Sequence, residues 1–151
     1  MKQREIKFRA KRIDNGEWVF GYGVILGEHY DIKTDDEREA SIFVNFDKVS
    51  GLNYQLVEVD PKTVGQYTGL KDKNGKEIFE GDLVGNFYRD PMFKAFKVEM
   101  WEGKWVFRNK DDEGNLSNWD LFNHCKEIEV IGNVYEGVLS KYENPELLKQ
   151  K

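Results

Sequence analysis

Nucleophilic catalysis needs a hydroxyl or thiol beside a base that a third group orients. The chain offers two histidines, His29 and His124, and a single cysteine, Cys125. His124 and Cys125 are adjacent, and neighbours on a helix point about 100° apart, which places them poorly for sharing a proton. Cys125 therefore reads as a core residue. One Cys and two distant His cannot by themselves supply the four ligands of a structural zinc. The acidic runs Asp35-Asp36-Glu37-Arg38-Glu39 and Asp111-Asp112-Glu113 carry the carboxylates that hard cations prefer, but without EF-hand spacing. They read as solvated loop charges. Gly21 and Gly23 are too few for a phosphate-cradling pattern, and nothing after them resembles the helix that would receive a phosphate. The expectation is a chain with no catalytic residues, no metal site and no cofactor.

The residues left for binding are the basic ones at the start. Net charge is -5, yet residues 1–12 hold six basic side chains against Glu5, a local +5 that leaves -10 for the rest. Lys7, Arg9 and Lys11, followed by Arg12, alternate with Ile6, Phe8 and Ala10 in the period-two pattern of a half-buried strand. The basic face is thus expected to point to solvent. Beside Trp18 or Tyr22 it would combine charge with stacking surfaces, as single-stranded nucleic acid requires. The acidic body of the chain argues the other way, because phosphate neutralisation supplies most nucleic-acid affinity.

These side chains must be held by short extended segments. Asp14-Asn15-Gly16 is a turn signal leading into Trp18-Val19-Phe20, so a hairpin opens the fold. Residues 33–41 have high charge and no apolar period, and read as a mobile loop before Ile42-Phe43-Val44. Asp60-Pro61 interrupts a strand and predicts a turn. Asn74-Gly75 suits a type I′ turn with positive φ at both residues. Gly81-Asp82-Leu83-Val84 opens a new strand, and Phe93 to Phe107 reads as a hairpin turning at Glu102-Gly103. Two helices are predicted. One starts at Ser117 as N-cap, with Leu116 and Leu121 as a hydrophobic staple, and covers about 117–125; the other starts at Asn144-Pro145. Gly16-Glu17-Trp18-Val19-Phe20 is echoed by Gly103-Lys104-Trp105-Val106-Phe107, and Val64-Gly65-Gln66-Tyr67 loosely by Ile131-Gly132-Asn133-Val134-Tyr135. Either two similar β units or the chance likeness of short strands accounts for this.

The run Gly65-Gln66-Tyr67-Thr68-Gly69-Leu70-Lys71-Asp72-Lys73-Asn74-Gly75-Lys76-Glu77-Ile78-Phe79-Glu80-Gly81-Asp82-Leu83-Val84 closely resembles the YopX family of phage and prophage proteins. Ile6-Lys7-Phe8-Arg9-Ala10, Ile131-Gly132-Asn133-Val134-Tyr135-Glu136 and Asn144-Pro145-Glu146-Leu147-Leu148 are similar to that family's pattern too. The resemblance implies a small protein encoded by phages or prophages, mostly of low-GC Gram-positive bacteria, with a mainly β fold and no catalytic residues to carry over. One departure is Lys11-Arg12, where members often have an aromatic after Phe-Arg-Ala. Within the long run, Gly69, Gly75 and Gly81 suit turns, while Asp72 and Asp82 can accept hydrogen bonds from nearby backbone amides.

The expected fold is mainly β, with small strongly bent sheets or SH3-like barrels and one or two short helices. It spans 1–151 as a single domain, or as two β subdomains at about 1–70 and 71–137 followed by a short C-terminal helix. With one cysteine and no membrane-length apolar run, the chain is expected in the cytoplasm of a bacterial host, without a membrane partner. The expected function is a non-catalytic module that binds a phage or host protein. The alternative is a nucleic-acid-binding accessory protein using Lys7, Arg9, Lys11 and Arg12; an enzyme comes last. High aromatic content and sheet edges that need covering predict a homo-oligomer.

Overall fold

A computed structural model describes residues 5–27, 39–44, 55–85, 95–110 and 116–138. They form a mainly β structure that divides into two compact units, residues 1–67 and 68–151.

In the first unit, β1 (Phe8–Lys11) and β2 (Trp18–Gly21) form the expected hairpin, closed at Gly16 with φ +71°. β3 (Gly23–Gly27), β4 (Glu39–Val44) and β5 (Gln55–Val59) form an antiparallel three-stranded sheet in that order. The core lies between hairpin and sheet: Ala10, Ala40, Ile42, Val57 and Val59 are buried, with Phe8, Val19, Val24, Val44 and Val64 packed against them. The fit is close at Gly21, where an added Cβ would stand 2.0 Å from the Phe43 carbonyl oxygen. Asp60 caps one turn of 3-10 helix, Pro61–Thr63, by accepting from the Lys62 amide, and the Thr63 hydroxyl accepts from the Lys11 amide at 2.8 Å. The first residues of β6 (Gly65–Lys71) then pair with β1, Gly65 opposite Arg9 and Gln66 opposite Phe8.

Residues 39–41 are a correction to the predicted loop. They begin β4, because Ala40 is buried between Leu26 and Val59 and the strand is worth more than solvation of one charged neighbour. Residues 33–38 lie outside the described residues.

The second unit is built on an antiparallel six-stranded sheet. Its members are β8 (Asp82–Gly85), β9 (Phe96–Trp101), β10 (Lys104–Lys110), β11 (Leu116–Asp120), β12 (Glu129–Asn133) and β13 (Gly137–Val138), in spatial order β11-β10-β9-β8-β12-β13. β7 (Glu77–Phe79) neighbours β6, whose Thr68 hydroxyl donates to the Ile78 carbonyl at 2.8 Å. β9 and β10 turn at Glu102 (φ 48°) and Gly103 (φ 80°), as predicted. A bulge between Val130 and Gly132 bends the pairing of β12 with β8. The sheets of the described residues stay open, so the barrel alternative is not what forms.

The helix α1 is shorter than expected, Leu121–His124. Residues 116–120 are strand, paired in register with β10, and Asp120 rather than Ser117 is the N-cap, accepting from the Asn123 amide. The staple of Leu116 with Leu121 does not form, since Leu121 is fully buried in the core while Leu116 is exposed. That core comprises Ile78, Val84, Val98, Phe107, Leu121, Cys125, Ile128 and Val130, with Leu70, Phe96 and Trp105 against it. Each large aliphatic side chain removed from water there contributes about 1.5–3 kcal/mol. Cys125 is a buried free thiol. The predicted helix at Asn144-Pro145 lies outside the described residues, as do His29 and residues 111–113.

Candidate binding surfaces

The basic strand does not present a solvated row of cations. Arg9 and Lys11 of β1 share a face with Trp18 and Phe20 of β2, because Lys11 stands opposite Trp18 and Arg9 opposite Phe20, and Lys7 just precedes the strand. Arg9 is buried, at 9% exposure, with its guanidinium 4.7 Å from the centre of the Trp18 ring. Lys11 approaches the same ring at 5.5 Å, and Lys7 lies 5.5 Å from the ring of Tyr67 while pairing with Glu5 at 3.1 Å. Arg12 makes two hydrogen bonds to Asp14. Those hydrogen bonds, reinforced by charge attraction, raise the Arg12 pKa, and the same hydrogen bonding holds the Asp14 carboxyl below its ordinary value. Alternation correctly predicted which side chains share a face. It missed that the aromatic neighbours cover that face, with cation–π contacts replacing part of the water.

The glycine and aspartate positions of the long run are structural in geometry. Gly69, Gly75 and Gly81 have φ of +83°, +81° and +81°. The Asn74-Gly75 turn differs from the type I′ expectation, since Gly75 alone has positive φ there. The reason is Asp72: its Oδ1 accepts from the Asn74 and Lys76 amides at 2.8 and 2.9 Å, and its carbonyl accepts from the Gly75 amide. That Asx arrangement stabilises a type I turn closed by a left-handed glycine. Oδ2 of the same buried carboxylate accepts from the Val130 amide at 2.9 Å, tying the turn to β12. Asp82, also buried, accepts from the Phe79 amide at 2.8 Å.

Exposed aromatics occur in both units, Phe20 and Tyr22 in the first and Trp101, Trp119, Phe122 and Tyr135 in the second. Trp119 of β11 stacks on buried Phe107 at 6.5 Å and 12°, and His124 meets both rings edge-on at 6.1 and 5.6 Å. Phe96 adds an edge contact to Phe107 at 5.5 Å. Trp119 remains 45% exposed, and Phe122, on the first turn of α1, is 75% exposed. The two lie three residues apart in sequence, with the helix N-cap Asp120 between them. On the opposite face of the sheet, the Arg108 guanidinium lies 4.0 Å from the Trp101 ring and 2.6 Å from a Glu99 carboxylate oxygen. Sequence reasoning missed the exposed Trp119 and Phe122, because residues 116–121 read as a helix start and the stacking of Trp119 on Phe107 depends on strand register. The only usable signal was two large aromatics flanking an aspartate.

Among the described residues no group of three or more His, Cys, Asp and Glu side chains is placed to hold a metal ion. No helix among them is long and apolar enough to cross a membrane.

Of solved structures, the chain is similar to the crystal structure of protein EF1440 from Enterococcus faecalis, at 22% identity over 95% of this chain and 97% of that one, with a TM-score of 0.43. No curated protein matches it. The model of the YopX protein family matches residues 7–149, nearly the whole chain, and the chain therefore belongs to the YopX family.

Proposed function

We propose that this chain is a non-catalytic accessory protein of a phage or prophage that binds a protein partner, of phage or host origin, through the Trp119–Phe122 surface. The observation that carries this is a pair of large aromatics left in water, one of them stacked on the core. Trp119 is stacked on a core phenylalanine and Phe122 is fixed to a capped helix turn. Aromatic anchors already ordered in the free protein lose little entropy on binding, and such residues dominate protein interfaces. The nucleic-acid alternative is weaker, since Arg9 is buried, Lys7 and Arg12 pair with acids, and the Trp18 ring that would stack on a base already lies against Arg9 and Lys11.

The test is recovery of partners by the tagged full-length protein from phage-infected host lysate, with nuclease and at two salt concentrations, beside Phe122→Ala. A protein recovered after nuclease and at high salt, and lost with Phe122→Ala, is the expected result. Recovery that disappears with nuclease or salt, or that is indifferent to Phe122, overturns the reading.

A further inference from the structure

The strand β3 reads Gly23-Val24-Ile25-Leu26-Gly27 and pairs on one side with β4, and among the described residues it is the outermost strand of its sheet. It contains no charged residue and no proline, the usual devices that stop an edge strand from pairing with another chain. Ile25 is 46% and Leu26 57% exposed, on opposite faces because strand side chains alternate. The register puts Val24 and Leu26 on the same face as Ala40, Ile42, Val57 and Val59, the core face of the first unit. That apolar face therefore runs out to the sheet margin and ends on a leucine half in water.

The five residues also read almost identically in either direction, with glycine at both ends, a branched aliphatic at each flank and isoleucine at the centre. In an antiparallel pair of identical strands about a two-fold axis each residue on one side of the centre meets its mirror position, so a sequence that reads alike in both directions opposes side chains of similar size. Centred on Ile25, the pairing sets Ile25 against Ile25 of the partner subunit, Val24 against its Leu26, and Gly23 against its Gly27. No charge is buried, and the opposed side chains are apolar throughout.

We propose that β3 is a homodimerisation edge: two copies of the chain pair β3 with β3 antiparallel about a two-fold axis at Ile25, merging two three-stranded sheets into one of six. The Val24–Leu26 pairs continue the core face across the axis and cover both exposed leucines, while the two Ile25 side chains pack on the other face. A second copy is the fitting occupant because the strand is its own complement in size and polarity on both faces. A five-residue contact is small for a stable interface, so the dimer is reversible, with dissociation in about the micromolar range.

Sedimentation of the full-length protein across micromolar concentrations tests this. The wild type is expected to pass from monomer to dimer. Ile25→Lys and Ile25→Glu each face a like charge at the axis and are expected to stay monomeric, while their equimolar mixture dimerises. Ile25→Cys is expected to cross-link under mild oxidation. Leu26→Cys is not, because two such residues would lie diagonally, about 8 Å apart and beyond disulfide reach. The native Cys125 is buried and gives little background. A wild type monomeric throughout, charged variants that dimerise alone, or cross-linking at Leu26 in place of Ile25 would each overturn the proposal.

Discussion

Replacing Asp72 tests whether one buried carboxylate organises the second unit. Its two oxygens take three backbone amides: those of Asn74 and Lys76 inside the turn, and that of Val130, 58 residues away on β12. A hydrogen bond to a charged group contributes about 1.5–3 kcal/mol, and a buried amide left without a partner costs about 1–3 kcal/mol. In Asp72→Ala, the deeply buried Val130 amide loses about 2 kcal/mol and the two partly buried turn amides, which water can reach, about 1 kcal/mol each. Relief from burying a charge offsets part of this, leaving a net destabilisation of about 3 kcal/mol. Asp72→Asn keeps one oxygen for the turn but points its NH2 at the Val130 amide, donor against donor, and is expected to cost about 2 kcal/mol. Urea unfolding followed by tryptophan fluorescence reads this unit preferentially, since Trp101, Trp105 and Trp119 all lie in it and Trp18 does not. Hydrogen exchange at the Val130 amide reads the bond itself. Asp72→Ala within about 1 kcal/mol of wild type, or unchanged protection at Val130, would refute the reasoning.

Gly21→Ala drives a methyl into the Phe43 carbonyl oxygen, backbone that cannot rotate away, and is expected to cost about 3 kcal/mol, whereas Gly16→Ala meets open space and costs about 1–2 kcal/mol for its positive φ; equal shifts in urea midpoint would count against the close packing of β2 on β4. Phe107→Ala is expected to lose about 3–5 kcal/mol and Phe20→Ala under about 1 kcal/mol, since the first is buried and the second half exposed, and calorimetric unfolding ranks them. By carboxyl NMR, Asp14 titrates below its ordinary value of 3.8, and Arg12→Ala returns it. Because that pKa is lowered in the folded state, the stabilisation is present above the unfolded value and fades as pH falls through the folded one. The pair lies in solvent, which screens it, so Arg12→Ala lowers stability at neutral pH by too little for calorimetry to register.

Local turn chemistry was legible where one residue decides the geometry. Gly16 closes the first hairpin, Asp60-Pro61 makes a capped 3-10 turn, and Gly103 follows Glu102 through the left-handed region. It failed where a side chain from outside the local window intervenes. Asn74-Gly75 has a good type I′ signature, but Asp72 captures the turn amides first and imposes a type I geometry. Ser117 and Leu121 fit a helix start, but β10 offers residues 116–120 a full antiparallel ladder, and five paired residues outweigh one cap. The basic strand was legible in its alternation and not in its burial, because Trp18 and Tyr67 come from two other strands whose register no local pattern contains.

The two Gly-x-Trp-Val-Phe phrases separate what a short sequence decides from what the surrounding fold decides. In both, a positive-φ glycine lies in the hairpin turn and the tryptophan follows two residues later, at or near the start of the second strand. The faces they bury are opposite. In the first unit Val19 packs inward against Ala10 and its neighbours, while Trp18 and Phe20 lie on the face with Arg9 and Lys11. In the second unit Trp105 and Phe107 face the core with Val98, and α1 and Trp119 close over them. Similar local codes thus enter the second strand of two hairpins whose turns differ in length, and which side becomes interior is set by what packs against it. The likeness of the phrases reflects the demands of a two-stranded turn, and the difference in burial speaks against two units packed alike.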